Sequence, residues 1–210
     1  MHVDELPRRQ QRMAQVLSQR LGWVACAIEA VHHRHNVSAI LRTCDALGVH
    51  GVHLVEGQRF RPSKGATRGA ERWLDLRRHD DPVAAIGTLK SEGYAVYVAD
   101  LADDAYTPAD LPLDRPVALW FGAEHNGVSP EATAAADGVV MLPMHGFAQS
   151  LNVSVAAALV LQQVAARARV RPEALLDPTE QARWLQRWID REDQLRTGIA
   201  ARQSMPRRLP

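Results

Sequence analysis

The sequence has few cysteines and no long apolar run. Cys26 and Cys44 are its two cysteines, and their spacing is typical of neither a C-x-x-C redox motif nor a metal site, so we expect reduced thiols. No stretch of 18 apolar residues is present, which argues against a membrane-spanning helix. The first residues, MHVDELPRRQQRM, are too polar for a signal peptide. We therefore expect a soluble cytoplasmic protein.

The usual motifs of well-known α/β enzymes are also missing. The sequence has no G-x-G-x-x-G, no G-x-x-x-x-G-K-[ST], no H-E-x-x-H and no G-x-S-x-G. It therefore lacks the signatures of a dinucleotide site, a P-loop, a zinc protease and a nucleophile elbow. The segment HHRHN (32–36) is rich in histidine, but no carboxylate or cysteine set accompanies it. A loop that contacts an anion is favoured there over a metal site.

Charge is distributed unevenly along the chain. Residues 1–20 carry a net charge of +2, residues 167–210 carry +4, and the remainder carries −5. All 14 basic residues in the two end segments are arginine, whose planar guanidinium suits bidentate contacts with phosphate. A polyanionic partner such as RNA is one interpretation, and a solvated arginine-rich surface is the other.

Short β-rich runs alternate with helical patterns in the middle of the chain. The predicted strands are WVACAIEAV (23–31), GVHGVHLVE (48–56), YAVYVAD (94–100), RPVALWFG (115–122) and GVVMLPM (138–144). NVSAILRTCDALG predicts a helix with Asn36 as its N-cap and Gly48 beyond its end, and DDPVAAIGTLKSEG predicts another. This alternation indicates an α/β fold with a mostly parallel sheet covered on both faces.

The two ends of the chain predict basic amphipathic helices. They are residues 5–20 and the segment LDPTEQARWLQRWIDRED, for which Asp177 is the predicted N-cap. Trp184 and Trp188 fall on one apolar stripe of the second helix. That pattern favours packing against the protein over stacking on bases. We expect the last ten residues to form a loose tail.

Polar residues follow two of the predicted strands. Glu124 comes in a turn after one strand, and Ser150 and Asn152 introduce a helix after another. Ligands of α/β proteins bind at this carboxyl edge of the sheet. Helix capping explains one such residue, but both together with Gln149 exceed what a cap requires. Arg42 avoids the apolar stripe of its helix, so its spacing predicts only a surface position.

Three segments together resemble the successive motifs of the SPOUT class of RNA methyltransferases, in the same order and at suitable spacing. They are HNVSAILRTCDALGVHGVHLV, ALWFGAEHNGVSPEA and VMLPMHGFAQSLNVSVAAALVL. Within that class the chain is similar to the TrmH family, which methylates the ribose 2′-hydroxyl of guanosine 18 in the tRNA D-loop. The resemblance covers residues 20–166 and implies a homodimer, tRNA as substrate and S-adenosylmethionine as methyl donor.

The resemblance also implies a deep trefoil knot in the C-terminal part of the sheet domain, an exception to the usual unknotted connections. In such enzymes the donor is held largely by backbone groups of three loops. On this sequence the donor-binding residues that the resemblance implies are Ala99, Gly122, Leu142, Met144, Ser150 and Leu151. No metal is implied, because the sulfonium already carries an activated methyl group.

The catalytic residues implied by the resemblance are Asn36, Arg42, Glu124, Ser150 and Asn152. The family mechanism has Arg42 take the proton of the attacking ribose hydroxyl. Because a guanidinium stays protonated at ordinary pH, stabilisation of the developing alkoxide is an alternative role. Asn36 caps its helix, positions the Arg42 region at a dimer interface, or does both. Glu124 orients Arg42 or holds substrate, while Ser150 and Asn152 shape the donor pocket.

The resemblance divides the chain into a basic N-terminal helix (1–20), a knotted methyltransferase domain (21–169) and a C-terminal helical extension with a tail (170–210). Two alternatives stay open. The same chemistry could act on ribosomal RNA or on a tRNA wobble ribose, although the basic terminal helices favour the TrmH interpretation. The chain could also be an inactive RNA-binding module, and the joint presence of the predicted catalytic residues argues against that.

Overall fold

The computed structural model describes residues 6–31, 33–55, 67, 69–123 and 126–203. The chain divides into two compact units, one formed by Met1–Gln19 with Leu176–Pro210 and the other by Arg20–Leu175. The division into three domains expected from the sequence stays a prediction. In the described part of the chain, every helix is too short or too polar to cross a membrane.

The larger unit contains a six-stranded sheet whose strands all pair in parallel. The strands are β1 (Leu21–Glu29), β2 (Val49–Val55), β3 (Asp75–His79), β4 (Ala95–Ala99), β5 (Val117–Phe121) and β6 (Gly138–Val140). Their order across the sheet is β3-β2-β1-β5-β4-β6. The predicted α/β class with a mostly parallel sheet is confirmed, and the trefoil knot stays a prediction.

Six α-helices are described: α1 (Arg8–Leu17), α2 (Arg34–Leu47), α3 (Pro82–Ser91), α4 (Pro130–Ala135), α5 (Val153–Ala168) and α6 (Pro178–Gln203). Helix α2 ends at Leu47, and Gly48 lies just beyond its end as predicted, with a left-handed φ of 78°. Helix α3 begins after Asp81, whose carboxylate accepts a hydrogen bond from the Ala84 N–H at 2.6 Å. Pro82 occupies its first turn.

The structure corrects the expected start of α2. The helix begins at Arg34 with His33 at the N-cap position, so the prediction of Asn36 as N-cap is wrong. Asn36 lies inside the first turn, and its side chain makes a tertiary contact instead. The pattern was misleading because Asn36 directly precedes the apolar stripe, whereas the actual first turn, Arg34 to Asn36, is polar.

Two strands and the C-terminal helix also differ from expectation. Strand β3 was not predicted, because its sequence DLRRH has one apolar residue and it pairs with β2 alone at the sheet edge. Strand β6 ends at Val140, and residues 141–152 have no regular structure. Helix α6 runs to Gln203, so residues 201–203 of the expected loose tail are helical, and residues 204–210 lie outside the described part.

Strand β1 shows how the sheet is covered on both faces. Val24, Cys26 and Ile28 point to one face and belong to the core that α2 and α5 complete. Ala25 and Ala27 point to the other face, where α3 and α4 pack. Cys26 and Cys44 are buried free thiols, as predicted. Burial, and then the hydrogen bond with Cys44, raises the pKa of the Cys26 thiol, so this thiol stays protonated.

The smaller unit is built from α1 and α6, which pack against each other. Trp184 and Trp188 are 4% and 1% exposed, which leaves no ring face for bases and confirms that they pack. Arg9 forms an ion pair with Glu192 at 2.6 Å between the two helices. Asp177 caps α6 as predicted, since its carboxylate accepts hydrogen bonds from the backbone N–H groups that follow it.

Candidate active site

A cavity of about 480 Å³ opens at the carboxyl ends of β4, β5 and β6. The start of α5 also lines the cavity, through Val153, Ala156 and Val160. This is the edge at which parallel sheets of α/β proteins bind ligands, because loops and helix N-termini meet there. The volume is in the range of about 300–1,000 Å³ that is typical of small-molecule sites.

The turn after β5 forms one wall through close backbone packing. Ala123 and Gly127 exchange two backbone hydrogen bonds of 2.9 and 3.0 Å, and Gly127 has a left-handed φ of 65°. A Cβ atom on Gly122 would lie 2.1 Å from the Gly127 carbonyl oxygen and 2.4 Å from the Val128 nitrogen. Gly122 is therefore required by the close approach of two backbone segments.

The irregular segment 141–152 forms the opposite wall. Met144, Gln149, Ser150 and Leu151 from this segment line the cavity. Its backbone is anchored at one end by a hydrogen bond from the Met141 N–H to the Tyr106 carbonyl at 2.8 Å. Because no strand or helix uses the backbone groups between residues 142 and 151, those groups are available to a ligand.

Asn152 anchors the other end of this segment with a single amide group. Its Oδ1 accepts hydrogen bonds from the Ser154 N–H at 2.9 Å and from the Ser154 hydroxyl at 2.6 Å, which caps α5. Its Nδ2 donates to Asn36 Oδ1 on α2 at 3.3 Å. Asn152 therefore caps one helix and links it to another.

The residues predicted to bind the donor all line this cavity. They are Ala99, Gly122, Leu142, Met144, Ser150 and Leu151. Their roles toward a donor stay predictions. The cavity nevertheless brings together residues that are 52 positions apart in the sequence, from Ala99 to Leu151.

The predicted catalytic residues are distributed differently. Ser150 and Asn152 line the cavity, and Asn36 contacts it through Asn152. Arg42 is exposed on α2 and is not a lining residue. Six residues along a helix correspond to about 9 Å of rise and about 120° of rotation, so Arg42 and Asn36 project in different directions. Glu124 lies outside the described residues.

The residues of the cavity fit S-adenosylmethionine, the donor that the resemblance implies. The absence of a Cβ at Gly122 lets the backbone at Gly122 and at Gly127 pack closely in this wall, which suits a donor held by backbone groups. Leu142, Val160 and Phe121 supply apolar surface. Gln149 and Ser150 supply hydrogen-bonding groups for the polar parts of such a molecule.

Sequence reasoning missed two carboxylates at this edge of the sheet. Asp100 follows β4 and lines the cavity. Glu29 ends β1 and is 7% exposed, and its Oε2 accepts hydrogen bonds from Trp120 Nε1 at 2.7 Å and from the Ser129 N–H at 3.4 Å. The glutamate inside the apolar run WVACAIEAV could have indicated this, because a buried carboxylate requires donors.

Comparisons with known proteins show the family to which the chain belongs. The family model described as SpoU rRNA Methylase family matches residues 24–162. The tRNA (guanosine(18)-2′-O)-methyltransferase of Thermus thermophilus is 41% identical over 86% of this chain and 95% of its own length. The Escherichia coli protein of the same name is 38% identical over 85% of this chain and 81% of its own length.

A solved structure agrees with the sequence relatives. The crystal structure of the A. aeolicus TrmH/SpoU tRNA modifying enzyme aligns with a TM-score of 0.80 and 31% identity, over 88% of this chain and 96% of that chain. The resemblance to TrmH proteins that the three sequence segments indicated is thus confirmed. The chain belongs to the SpoU rRNA methylase family.

Proposed function

We propose that this protein transfers a methyl group from S-adenosylmethionine to the ribose 2′-hydroxyl of guanosine 18 in tRNA. The observation that carries the proposal is the cavity at the ends of β4, β5 and β6, which collects all six predicted donor-binding residues in one place. The names of the Thermus thermophilus and Escherichia coli relatives support this substrate and this position.

S-adenosylmethionine supplies a methyl group on a sulfonium, whose departure leaves a neutral thioether. The protein then has to bind the donor, orient the ribose hydroxyl and stabilise the charge that develops on its oxygen. Backbone groups of the turn at Gly122 and of segment 141–152 bind the donor in this proposal. Ser150 lines the part of the cavity that takes the donor, and Asn152 fixes the start of α5.

Arg42 is the charged group that acts on the ribose oxygen in this proposal, either as proton acceptor or by stabilising the alkoxide. Its guanidinium does not line the cavity of its own protomer. We therefore assign Arg42 to the cavity of a second copy of the chain. The Asn36 to Asn152 hydrogen bond, at 3.3 Å, ties the helix that carries Arg42 to the helix that closes the cavity.

A homodimer is also favoured by the apolar surface of α5. Leu151 lies in the segment just before α5, and Val155 and Leu159, four residues apart within the helix, share one side of it. They are 39%, 46% and 44% exposed, and Phe147 in the preceding segment is fully exposed. A second copy of the chain that covers this side would remove the apolar surface from water, which is the main driving force for protein association.

The charge pattern supports RNA as the partner. Arg183 and Arg187 are exposed on α6, and the Arg187 guanidinium lies 4.7 Å from the centre of the Trp184 ring. The stacking holds this guanidinium in place without using its hydrogen-bond donors, which stay available to phosphate oxygens. The same proposal includes a cytoplasmic location, because the proposed substrate is tRNA.

The test is incubation of the pure protein with labelled S-adenosylmethionine and, separately, tRNA and ribosomal RNA transcripts, followed by mapping of the labelled nucleotide. We expect label on the ribose of guanosine 18 and no label in a tRNA that carries 2′-deoxyguanosine at that position. Label in ribosomal RNA alone, or on a wobble ribose, would contradict the proposed target. No incorporation into any RNA would leave an inactive RNA-binding module.

A further inference from the structure

The cavity wall contains one charged side chain among the lining residues that the structure describes. This residue is Asp100, which follows the last residue of β4. The other described lining residues are apolar or carry neutral polar groups. This carboxylate gives the described wall a formal charge of −1.

Backbone contacts fix the direction of the Asp100 carboxylate. Its Oδ1 accepts a hydrogen bond from the Leu101 N–H at 2.8 Å, and its own backbone N–H donates to the Val140 carbonyl at 3.3 Å. Its Oδ2 lies 3.9 Å from the position that a Cβ of Gly127 would occupy. The second oxygen therefore lies beside the turn after β5, which also lines the cavity. Asp100 forms no ion pair with any described residue.

The charge of the ligand changes during the proposed reaction. S-adenosylmethionine carries a sulfonium and an ammonium against one carboxylate, so its net charge is +1. After the methyl group leaves, the sulfur is a neutral thioether and the product S-adenosylhomocysteine has no net charge. A fixed negative charge in the wall attracts the first molecule more strongly than the second.

We propose that Asp100 makes this cavity select the cationic methyl donor over its neutral demethylated product. The inference rests on the proposed function, since it concerns the ligand that the cavity takes there. Opposite unit charges at a separation of about 6 Å attract each other by about threefold in affinity at the dielectric constant of bulk water. The factor is about tenfold at half that dielectric constant, and the cationic donor gains it over the neutral product. The carboxylate thereby limits inhibition by the product.

The test is a calorimetric titration of the RNA-free protein with S-adenosylmethionine and with S-adenosylhomocysteine. For Asp100→Asn we expect the donor Kd to rise about threefold to tenfold and the product Kd to change less than twofold. Asp103→Asn is the matched control, since it removes the same charge from an exposed residue that does not line the cavity. Asp100→Glu keeps the charge and should keep the preference.

Salt gives a second readout that a purely structural role would not produce. In the unmodified protein the preference for the donor should shrink as KCl increases, and in Asp100→Asn it should not depend on KCl. Equal weakening of both ligands in Asp100→Asn would overturn the proposal, because a hydrogen bond to a group shared by both molecules would explain it. Unchanged binding of both ligands would overturn it as well.

These outcomes are separate from failure of the proposed function. If the unmodified protein binds neither molecule, the cavity is not a site for this donor and the proposed function fails with it. If the unmodified protein binds both and Asp100→Asn keeps the same ratio of affinities, only the role of Asp100 is contradicted. Thermal unfolding of each variant shows whether the fold is kept.

Discussion

Arg42 combines an exposed position with a predicted role in the reaction, which makes it the most informative single residue. For Arg42→Ala we expect kcat to fall about 10²- to 10³-fold, the usual cost of removing a group that stabilises transition-state charge. The donor Kd should stay within twofold, because the proposed role of Arg42 is toward the ribose oxygen and not toward the donor. Single-turnover kinetics and calorimetry measure the two effects.

The control for Arg42→Ala is Arg115→Ala, which removes a guanidinium near the amino end of β5, at the opposite edge of the sheet. Arg115 lies 3.7 Å from Asp137 and does not line the cavity. The control should keep both kcat and donor affinity. A loss of donor affinity in Arg42→Ala as large as the loss of kcat would mean that this residue mainly supports the structure.

His53 makes the stability of the protein depend on pH. Its ring stacks on His79, with 5.1 Å between centroids and 2.9 Å between His53 Nδ1 and His79 Nε2. Burial, followed by the nearby charges of His79 and Arg77, lowers the pKa of His53 to about 3. An unfolded histidine has a pKa of about 6.5, so between these values the unfolded chain binds a proton that the folded protein does not.

The free energy of unfolding should therefore decrease as the pH falls from about 6.5 toward 3. His53 alone contributes about 2 kcal/mol of this decrease between pH 7 and pH 5. Urea unfolding at both pH values, compared between the unmodified protein and His53→Leu, measures the contribution. We expect a smaller loss of stability on acidification in the variant. Equal losses would show that His53 does not titrate as its burial indicates.

At the scale of structural elements, the turn after β5 depends on Gly122. Alanine there would place a Cβ 2.1 Å from the Gly127 carbonyl oxygen, so the two backbone segments that form the wall must separate. We expect Gly122→Ala to raise the donor Kd at least about tenfold and to lower the free energy of unfolding by about 1–3 kcal/mol. Calorimetry and urea unfolding check the two expectations.

Gly146→Ala is the matched control for this turn, since a Cβ at Gly146 would contact nothing within 4 Å. Gly146 belongs to segment 141–152, which forms the opposite wall, but is not itself a lining residue. The control should bind the donor as the unmodified protein does. If Gly122→Ala binds as tightly as this control, the close approach at the turn is not what shapes the site.

Helices and strands were predictable from the sequence where a periodic apolar pattern lay between residues that start and end such elements. Helix α3 lies between Asp81 and Gly93 as its pattern indicated, because a capping carboxylate and a left-handed glycine act locally. Strand β3 lacked any such pattern, since its place in the sheet comes from pairing with β2 rather than from apolar residues. Its Asp75 and Arg77 pair with each other at 2.9 Å.

The residues of the candidate site were predictable where they belong to motifs that occur in a fixed order along the chain. The three segments that resemble SPOUT motifs contain five of the six predicted donor-binding residues that line the cavity, all except Ala99. Asp100 and Glu29 were not found, because each is a single carboxylate outside those segments and no spacing rule marks it. Their significance comes from tertiary neighbours, such as the indole of Trp120 beside Glu29, which only folding brings together.

At the scale of the whole molecule, the proposed dimer predicts a specific response to charge on α5. Val155→Asp places a carboxylate on the exposed apolar side of that helix, where a partner copy would have to bury it. We expect the unmodified protein to be a dimer and Val155→Asp to be a monomer in light scattering coupled to size-exclusion chromatography. The monomer should lose methyl transfer, since Arg42 then has no cavity to act on.

Val83→Asp is a closely matched control for this experiment. Val83 on α3 is 47% exposed and Val155 on α5 is 46% exposed, and both are helical valines. The control should keep the dimer and the activity. The assignment of α5 to the interface would be contradicted if the unmodified protein were already a monomer. It would also be contradicted if the Val155→Asp protein stayed a dimer.

The backbone construction of the cavity also matters for inhibitor selectivity. A wall made of main-chain atoms, held by the turn at Gly122, presents the same surface whatever side chains a related protein carries. A competitor that occupies only that wall has little with which to discriminate between members of the family. The carboxylate of Asp100 is a side-chain feature, so an inhibitor bearing a cation toward it would gain selectivity for this protein over any relative that lacks the charge.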